Sequence, residues 1–152
     1  MPKYEKATWD EVRQVQGPRP GARALSDVVI KHFLSVGVQV KTGGIYNKRR
    51  VRGGTSWSLH SVGRGIDWMV PNRQTGDELF LRLINAAEQT GVCEVIWNRN
   101  RWDGTSNKVK PYRGVNPHTD HVHAGMIVDV ASHPDTPDLR RWFDHFLFVG
   151  PG

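Results

Sequence analysis

Seven histidines occur in this chain of 152 residues, and three of them crowd into His118-Thr119-Asp120-His121-Val122-His123. Another opens the stretch His60-Ser61-Val62-Gly63-Arg64-Gly65-Ile66-Asp67. Imidazole and carboxylate are donors that Zn2+ accepts, and a hydrolytic zinc site takes three of them and leaves one position for water. His60, Asp67 and His123 can supply that set, two ligands near in sequence and a third far along the chain. The glycines between His60 and Asp67 allow the backbone to turn tightly, so that both side chains converge. On a strand, His121 and His123 point to the same face, which brings a second imidazole close to the metal. Asp120 precedes that strand and, from a turn, can reach toward the metal's water. The same residues also fit a plainer account, with His60 and Asp67 as cap and turn residues and the later cluster as a polar strand end. Spacing alone does not choose between the two.

The two segments together resemble a family. Ser58-x-His60-x-x-Gly63-x-Gly65-x-Asp67 is similar to the Ser-x-His-x-x-Gly-x-Ala-x-Asp motif of the zinc peptidoglycan peptidases. That family takes in D-alanyl-D-alanine carboxypeptidases, vancomycin-resistance D,D-peptidases and phage L-alanyl-D-glutamate endolysins. Asp120-His121-Val122-His123 resembles its second motif, an acid three residues before the last zinc histidine. The likeness runs over roughly residues 22 to 130, and the two motifs in the right order are far more specific than either alone. Gly65 stands where the motif has Ala, a small-for-small change expected to be harmless. Asp120 stands where many members have Glu, which leans toward the endolysin-like branch.

The resemblance implies a zinc D,D-peptidase (Hedgehog-like) fold, Zn2+ as cofactor, metal ligands His60, Asp67 and His123, and hydrolysis of amide bonds in peptidoglycan stem peptides. Zinc lowers the pKa of its water to about 7 and polarises a carbonyl. Asp120 would take the proton and pass it to the leaving amine, with His121 and His118 as the alternative groups. His118, beside Pro117, is otherwise expected to be an exposed loop residue. Related enzymes place an arginine upstream of the first zinc motif to steady the developing oxyanion. Arg49, Arg50 and Arg52 compete for that place, and resemblance to the Tyr-Asn-x-Arg pattern of phage relatives selects Arg49. Arg64, between the zinc residues, suits a turn or an ion pair, and Ser58 suits bracing of the His60 loop. Of the tryptophans, Trp102 is the one expected to line a cleft.

Positioning these groups needs an α+β domain with a small, mostly antiparallel sheet and flanking helices, because several connections are too short for parallel crossovers. Residues 1–21 read as an N-terminal arm on a single domain spanning 1–152. The pattern predicts a helix over 25–34 stopped near Gly37, a strand over 38–41 with a turn at Gly43-Gly44, and a second strand over 45–52. Leu79, Leu83, Ala86 and Ala87 share one face of a helix predicted over 77–90, with Gly91 as its stop. Strands follow over 94–97, returning through Asn98-Arg99-Asn100, and over 121–130. An amphipathic helix over 139–147 closes the chain.

Composition narrows the partners. A hydrophobic share of 38% and a charged share of 24% fit a globular domain rather than a disordered or collagen-like chain. One cysteine, Cys93, precludes an internal disulfide and a Cys-rich zinc ribbon; it is expected as a buried small hydrophobe. No apolar run is long enough to cross a membrane. The first residues lack the apolar core of a secretory signal, so the protein is expected to be made in the cytoplasm and to reach the wall after release through a lysis pore. The excess of 21 Lys+Arg over 15 Asp+Glu, +6, suits an anionic partner. Bacterial peptidoglycan is the expected one, with no nucleic acid, no membrane insertion and a monomeric chain. D-alanyl-D-alanine carboxypeptidase is the nearest alternative activity. A metal-dependent nuclease and a non-catalytic wall-binding module are the alternatives of another class.

Overall fold

The computed structural model describes residues 1–48 and 56–150. Among them, six strands form one sheet in the order β1-β2-β6-β3-β4-β5, and every pairing is antiparallel. The strands are β1 (Lys41–Gly44), β2 (Gly65–Met69), β3 (Val92–Trp97), β4 (Asn100–Asp103), β5 (Lys108–Pro111) and β6 (His121–Met126). Helices α1 (Trp9–Gln14), α2 (Pro20–Ser35), α3 (Arg73–Asn85), α4 (Ala87–Thr90), α5 (Val128–Ala131) and α6 (Pro137–Asp144) surround it. The α+β class with an antiparallel sheet is therefore the architecture.

Side chains alternate across a strand, and here the alternation divides the sheet by chemistry. Ile66, Trp68, Val122, Ala124, Val95 and Trp102 point to one face and are buried with Leu25, Val29 and Phe33 of α2, Leu79 and Leu83 of α3, and Phe143 of α6. Registers Asp67↔His123, Ile96↔His123, Arg101↔Ile96 and Glu94↔Gly125 put Asp67, His123, Glu94 and Arg101 together on the other face. That second face is covered by a 3-10 turn, Leu59–Val62, and by the N-terminal residues, which share a smaller core of Ala7, Val12, Leu59 and Val62.

Several boundaries differ from those the sequence predicts. The first long helix starts at Pro20 rather than residue 25, since proline fits the first helical position where no N–H acceptor is needed. The N-terminal arm itself holds a helix, α1, capped by the Thr8 hydroxyl accepting from the Glu11 N–H. The first strand is Lys41–Gly44, not 38–41, so Gly43-Gly44 lies inside it rather than in a turn. A Cβ on Gly43 would stand 2.9 Å from the Asp67 Cβ, so glycine lets this strand lie close against Asp67. Residues 45–48 are not strand, and 49–52 of that predicted element lie outside the described residues. The helix expected over 77–90 starts at Arg73, where Asn72 caps it, and breaks at Ala86 into two. β6 stops at Met126, and α5 takes over part of its predicted length. The Asn98-Arg99 turn is as expected for a tight hairpin, with both residues at positive φ. β5 was not legible, because Lys108-Val109-Lys110-Pro111 is an exposed edge with no apolar face to bury.

Candidate metal centre

His60 lies in the 3-10 turn that Ser58 caps, its hydroxyl accepting from the His60 N–H at 3.1 Å. Ser58 therefore braces the loop. Gly63 ends the turn at φ +69°, and a Cβ there would come within 2.2 Å of the Gly17 carbonyl oxygen. The chain can reverse here only with glycine, both for its backbone angle and for that contact. Arg64 follows with its side chain fully buried. Its guanidinium donates to both Glu11 carboxylate oxygens, at 2.8 and 3.0 Å, and to the Met126 carbonyl at 2.7 Å. This ion pair, with Arg19 also on Glu11 at 2.6 Å, ties the N-terminal helix to the motif. Gly65 then starts β2, and a Cβ on it would sit 2.9 Å from the His60 nitrogen and 3.1 Å from its ring. The alanine of the related motif is thus not interchangeable with Gly65 here without moving His60.

The sheet register places Asp67 directly opposite His123. His60 Nε2 stands 3.1 Å from Asp67 Oδ1, and His123 Nδ1 stands 3.1 Å from the same oxygen. One ligand atom from each of the three residues lies within 4.8 Å of the others. Ligand atoms about 2.0–2.1 Å from a tetrahedral zinc are spaced roughly 3.3 Å apart, close to the two contacts at Asp67.

The outer nitrogens decide what faces inward. His60 Nδ1 is 3.1 Å from the Ile45 carbonyl oxygen, which can only accept, so that nitrogen donates. His123 Nε2 is 2.9 Å from the Glu94 carboxylate and donates likewise. In neutral rings this leaves two lone pairs, His60 Nε2 and His123 Nδ1, aimed at a carboxylate oxygen. Three acceptors converge, and only protons or a cation between them relieve the repulsion. Without a metal the proton goes to His123. Burial alone would lower its pKa, but the hydrogen bonds to Asp67 and Glu94 outweigh that and raise it to about 9. Asp67 is buried, which would raise its pKa, yet hydrogen bonds to His123 and His60 hold it far below the usual carboxylate range. The donor set, its fixed tautomers and its demand for positive charge all fit a bound divalent ion such as Zn2+.

A second pair of histidines forms the adjoining wall. His121 shares the face of His123, and its Nε2 is 3.9 Å from Asp67 Oδ2. Its Nδ1 donates to Asp120 Oδ1 at 2.7 Å. Asp120 itself is 72% exposed and points its carboxylate at His121, so the imidazole rather than the acid faces the cleft. His118 departs from the exposed loop position expected of it. It is buried at positive φ, its Nδ1 donating to the Asn116 carbonyl at 2.7 Å, and its ring lies 4.5 Å from that of His121. Burial, reinforced by the nearby His123 and His121, lowers its pKa to about 4, so it is neutral near pH 7.

Tyr4, Leu59, Ile96, Tyr112 and Asn116 complete a cleft of about 200 Å3 over these groups. Trp102 does not line it. That side chain is buried on the opposite face, donating to Asn107 Oδ1 at 3.1 Å, because position 102 has the parity of Val95 rather than of Ile96. Arg49, Arg50 and Arg52 lie outside the described residues. Glu94, Tyr4, Tyr112 and Asn116 join the cleft without being candidates from motif or spacing. Glu94 carried a signal, a lone acid within the otherwise apolar Val92–Trp97, since buried acids are rare without a partner. Tyr4 carried none, being brought in by the arm.

The fold and site define an α+β domain with a candidate His2Asp metal centre in a cleft on one sheet face. A model of the family described as VldE, C-terminal domain, matches residues 14–123, and the chain belongs to that family. The matched segment runs from α1 through both histidine motifs. No curated protein and no solved structure matches the chain. The family description states no reaction, and no described helix is long and apolar enough to cross a membrane.

Proposed function

We propose that this domain is a zinc-dependent peptidase that hydrolyses amide bonds in peptidoglycan stem peptides, of the zinc D,D-peptidase fold and the phage-endolysin type. The observation that carries the reading is the convergence of His60 Nε2, Asp67 Oδ1 and His123 Nδ1, with both rings' outer nitrogens already committed as donors. The resemblance of the two motifs to the zinc peptidoglycan peptidases supplies the substrate class.

When bound, Zn2+ supplies a Lewis acid that polarises the scissile carbonyl and brings the pKa of water to about 7. The chain's own residues then move the proton. His121, held by Asp120 through Nδ1, presents Nε2 to the cleft next to Asp67. It accepts the proton of the attacking water and returns it to the nitrogen of the leaving amine, while Asp120 stabilises the imidazolium formed between those steps. Asp120 is thus a positioning residue for His121. Neutral His118 offers Nε2 as a further hydrogen-bonding group on the same wall. The aromatic and apolar side chains of Tyr4, Tyr112 and Ile96 limit water around the reacting bond.

Cleavage is expected within the stem peptide, between L-Ala and D-Glu. Purified peptidoglycan incubated with the protein, with and without chelator, and analysed by mass spectrometry of the muropeptides tests this. New amino termini on D-Glu that need zinc support the endopeptidase. Free D-Ala as the sole product replaces it with a carboxypeptidase. Zinc-dependent cutting of DNA instead of peptidoglycan overturns the peptidase reading, and wall binding without turnover leaves a non-catalytic module.

A further inference from the structure

Glu94 is 7% exposed as a residue and stands on β3, one strand away from the nearest metal-ligand candidate. No step of the proposed hydrolysis uses it. One of its carboxylate oxygens, Oε1, accepts from His123 Nε2 at 2.9 Å. The other, Oε2, accepts from Arg101 Nε at 2.8 Å, and Arg101 in turn donates to Asp103 Oδ2 at 2.8 Å. The Tyr4 ring closes the stack, with the Arg101 guanidinium carbon 5.2 Å from its centroid. Cross-strand geometry makes this chain rigid, because Glu94 pairs with Asp103 and Arg101 pairs with Ile96, all on the polar face. The carboxylate cannot turn away from His123 without breaking its pair with Arg101. Arg101 is held from the far side by Asp103.

We propose that Glu94 is a positioning residue for the metal centre, fixing His123 with Nε2–H outward and Nδ1 inward, and that Arg101 locks Glu94 in that role. The inference rests on the metal reading of His60, Asp67 and His123 and adds to it the part of the chain that sets affinity. A carboxylate on the outer nitrogen of a ligating histidine orients the ring and makes it a better donor, and its loss typically costs 10–100-fold in metal affinity. Glu94→Gln is the informative change. Glutamine has one acceptor oxygen, so either His123 or Arg101 loses its partner and meets an N–H instead.

Zinc affinity of the full chain is measured by competition with a chromophoric chelator for the natural protein, Glu94→Gln and Arg101→Met. Thermal unfolding without metal is recorded for each, together with the visible spectrum after loading with Co2+. The expected result is zinc binding about 10–100-fold weaker in Glu94→Gln, a smaller loss in Arg101→Met, and an altered Co2+ spectrum in Glu94→Gln. If Glu94→Gln does not fold, Arg101→Met carries the test alone, through its own affinity loss and spectrum. Equal affinity and unchanged spectra in the folded variants overturn the proposal and leave the three-residue site standing. Weaker binding that only follows lower metal-free stability, with an unchanged Co2+ spectrum, overturns it as well. A natural protein that takes up no zinc removes the metal reading, and this inference with it.

Discussion

The two faces of the central sheet are made by the same strands and obey opposite rules. On the helix side, Trp68, Val122, Ala124 and Val95 meet other apolar groups, and shape and area hold them. On the cleft side, Asp67, His123, Glu94 and Arg101 occupy the alternate positions of the same strands, and each side chain is held by a named hydrogen-bond partner. A buried apolar side chain tolerates a neighbour of similar volume, whereas a buried charge without its partner costs several kcal/mol. The helix face is therefore a support that can be degraded gradually. The cleft face is a network that fails when one member leaves.

The largest effects should come from the cleft face. His60→Ala and His123→Ala are each expected to take zinc content from about one per chain to near none, since a structural or catalytic zinc needs at least three protein ligands. Metal analysis of the purified variants checks this, and full zinc retention in both would remove the ligand assignment. His121→Ala should keep its zinc and lose roughly 10²–10⁴ in hydrolysis rate, the contribution of a general acid–base group. Asp120→Ala should also keep zinc and lose less, because the imidazole that meets the substrate remains. A dead Asp120→Ala beside a nearly active His121→Ala would give the base role to the carboxylate.

The helix face should answer in stability. Trp68 is fully buried and its indole donates to the Ser26 carbonyl at 3.2 Å. Trp68→Ala is expected to cost about 3–5 kcal/mol in urea unfolding, while the folded fraction still binds zinc. Loss of zinc without loss of stability would show that the two faces are not separate. The smallest effect concerns Cys93, buried at the register shift of β3 beside Glu5 of the N-terminal arm rather than in the helix-side core. Burial raises its thiol pKa to about 12, so a disulfide reagent at pH 8 should label the native protein hardly at all and the unfolded chain completely. The sign for stability follows from the raised value. Above the ordinary thiol pKa of 9.0 the unfolded chain releases a proton that the folded one keeps, so this group lowers stability as pH climbs toward 12. Rapid native labelling at pH 8 would contradict the buried assignment.

The cleft was legible in proportion to how local its signals are. His60, Asp67 and His123 are candidates from local spacing, a glycine turn and a strand parity, and it is the motif resemblance that selects them. The same parity sends Trp102, paired with Val95, to the core instead of the cleft. Glu94 was readable only as an acid in an apolar strand, and its partner His123 lies 29 residues away. Tyr4 and the burial of His118 depend on how the N-terminal residues and the loop before β6 fold back, which no local pattern encodes. Among the elements, the apolar face of α3 is clear from periodicity and β3 from its apolar run, whereas the Gly91 stop belongs to α4, after the break at Ala86. β1 lies further along than the pattern predicts because Gly43 answers to close packing on Asp67 rather than to a turn.

His60, Asp67 and His123 could together hold one divalent metal ion. Diffraction from crystals of the natural protein grown with Zn2+, recorded on both sides of the zinc absorption edge, tests it without reference to any substrate. One strong anomalous peak per chain is expected between His60 Nε2, Asp67 Oδ1 and His123 Nδ1, with Glu94 still on His123 Nε2. No peak there, with His60 and His123 instead protonated and hydrogen-bonded to Asp67, would contradict it.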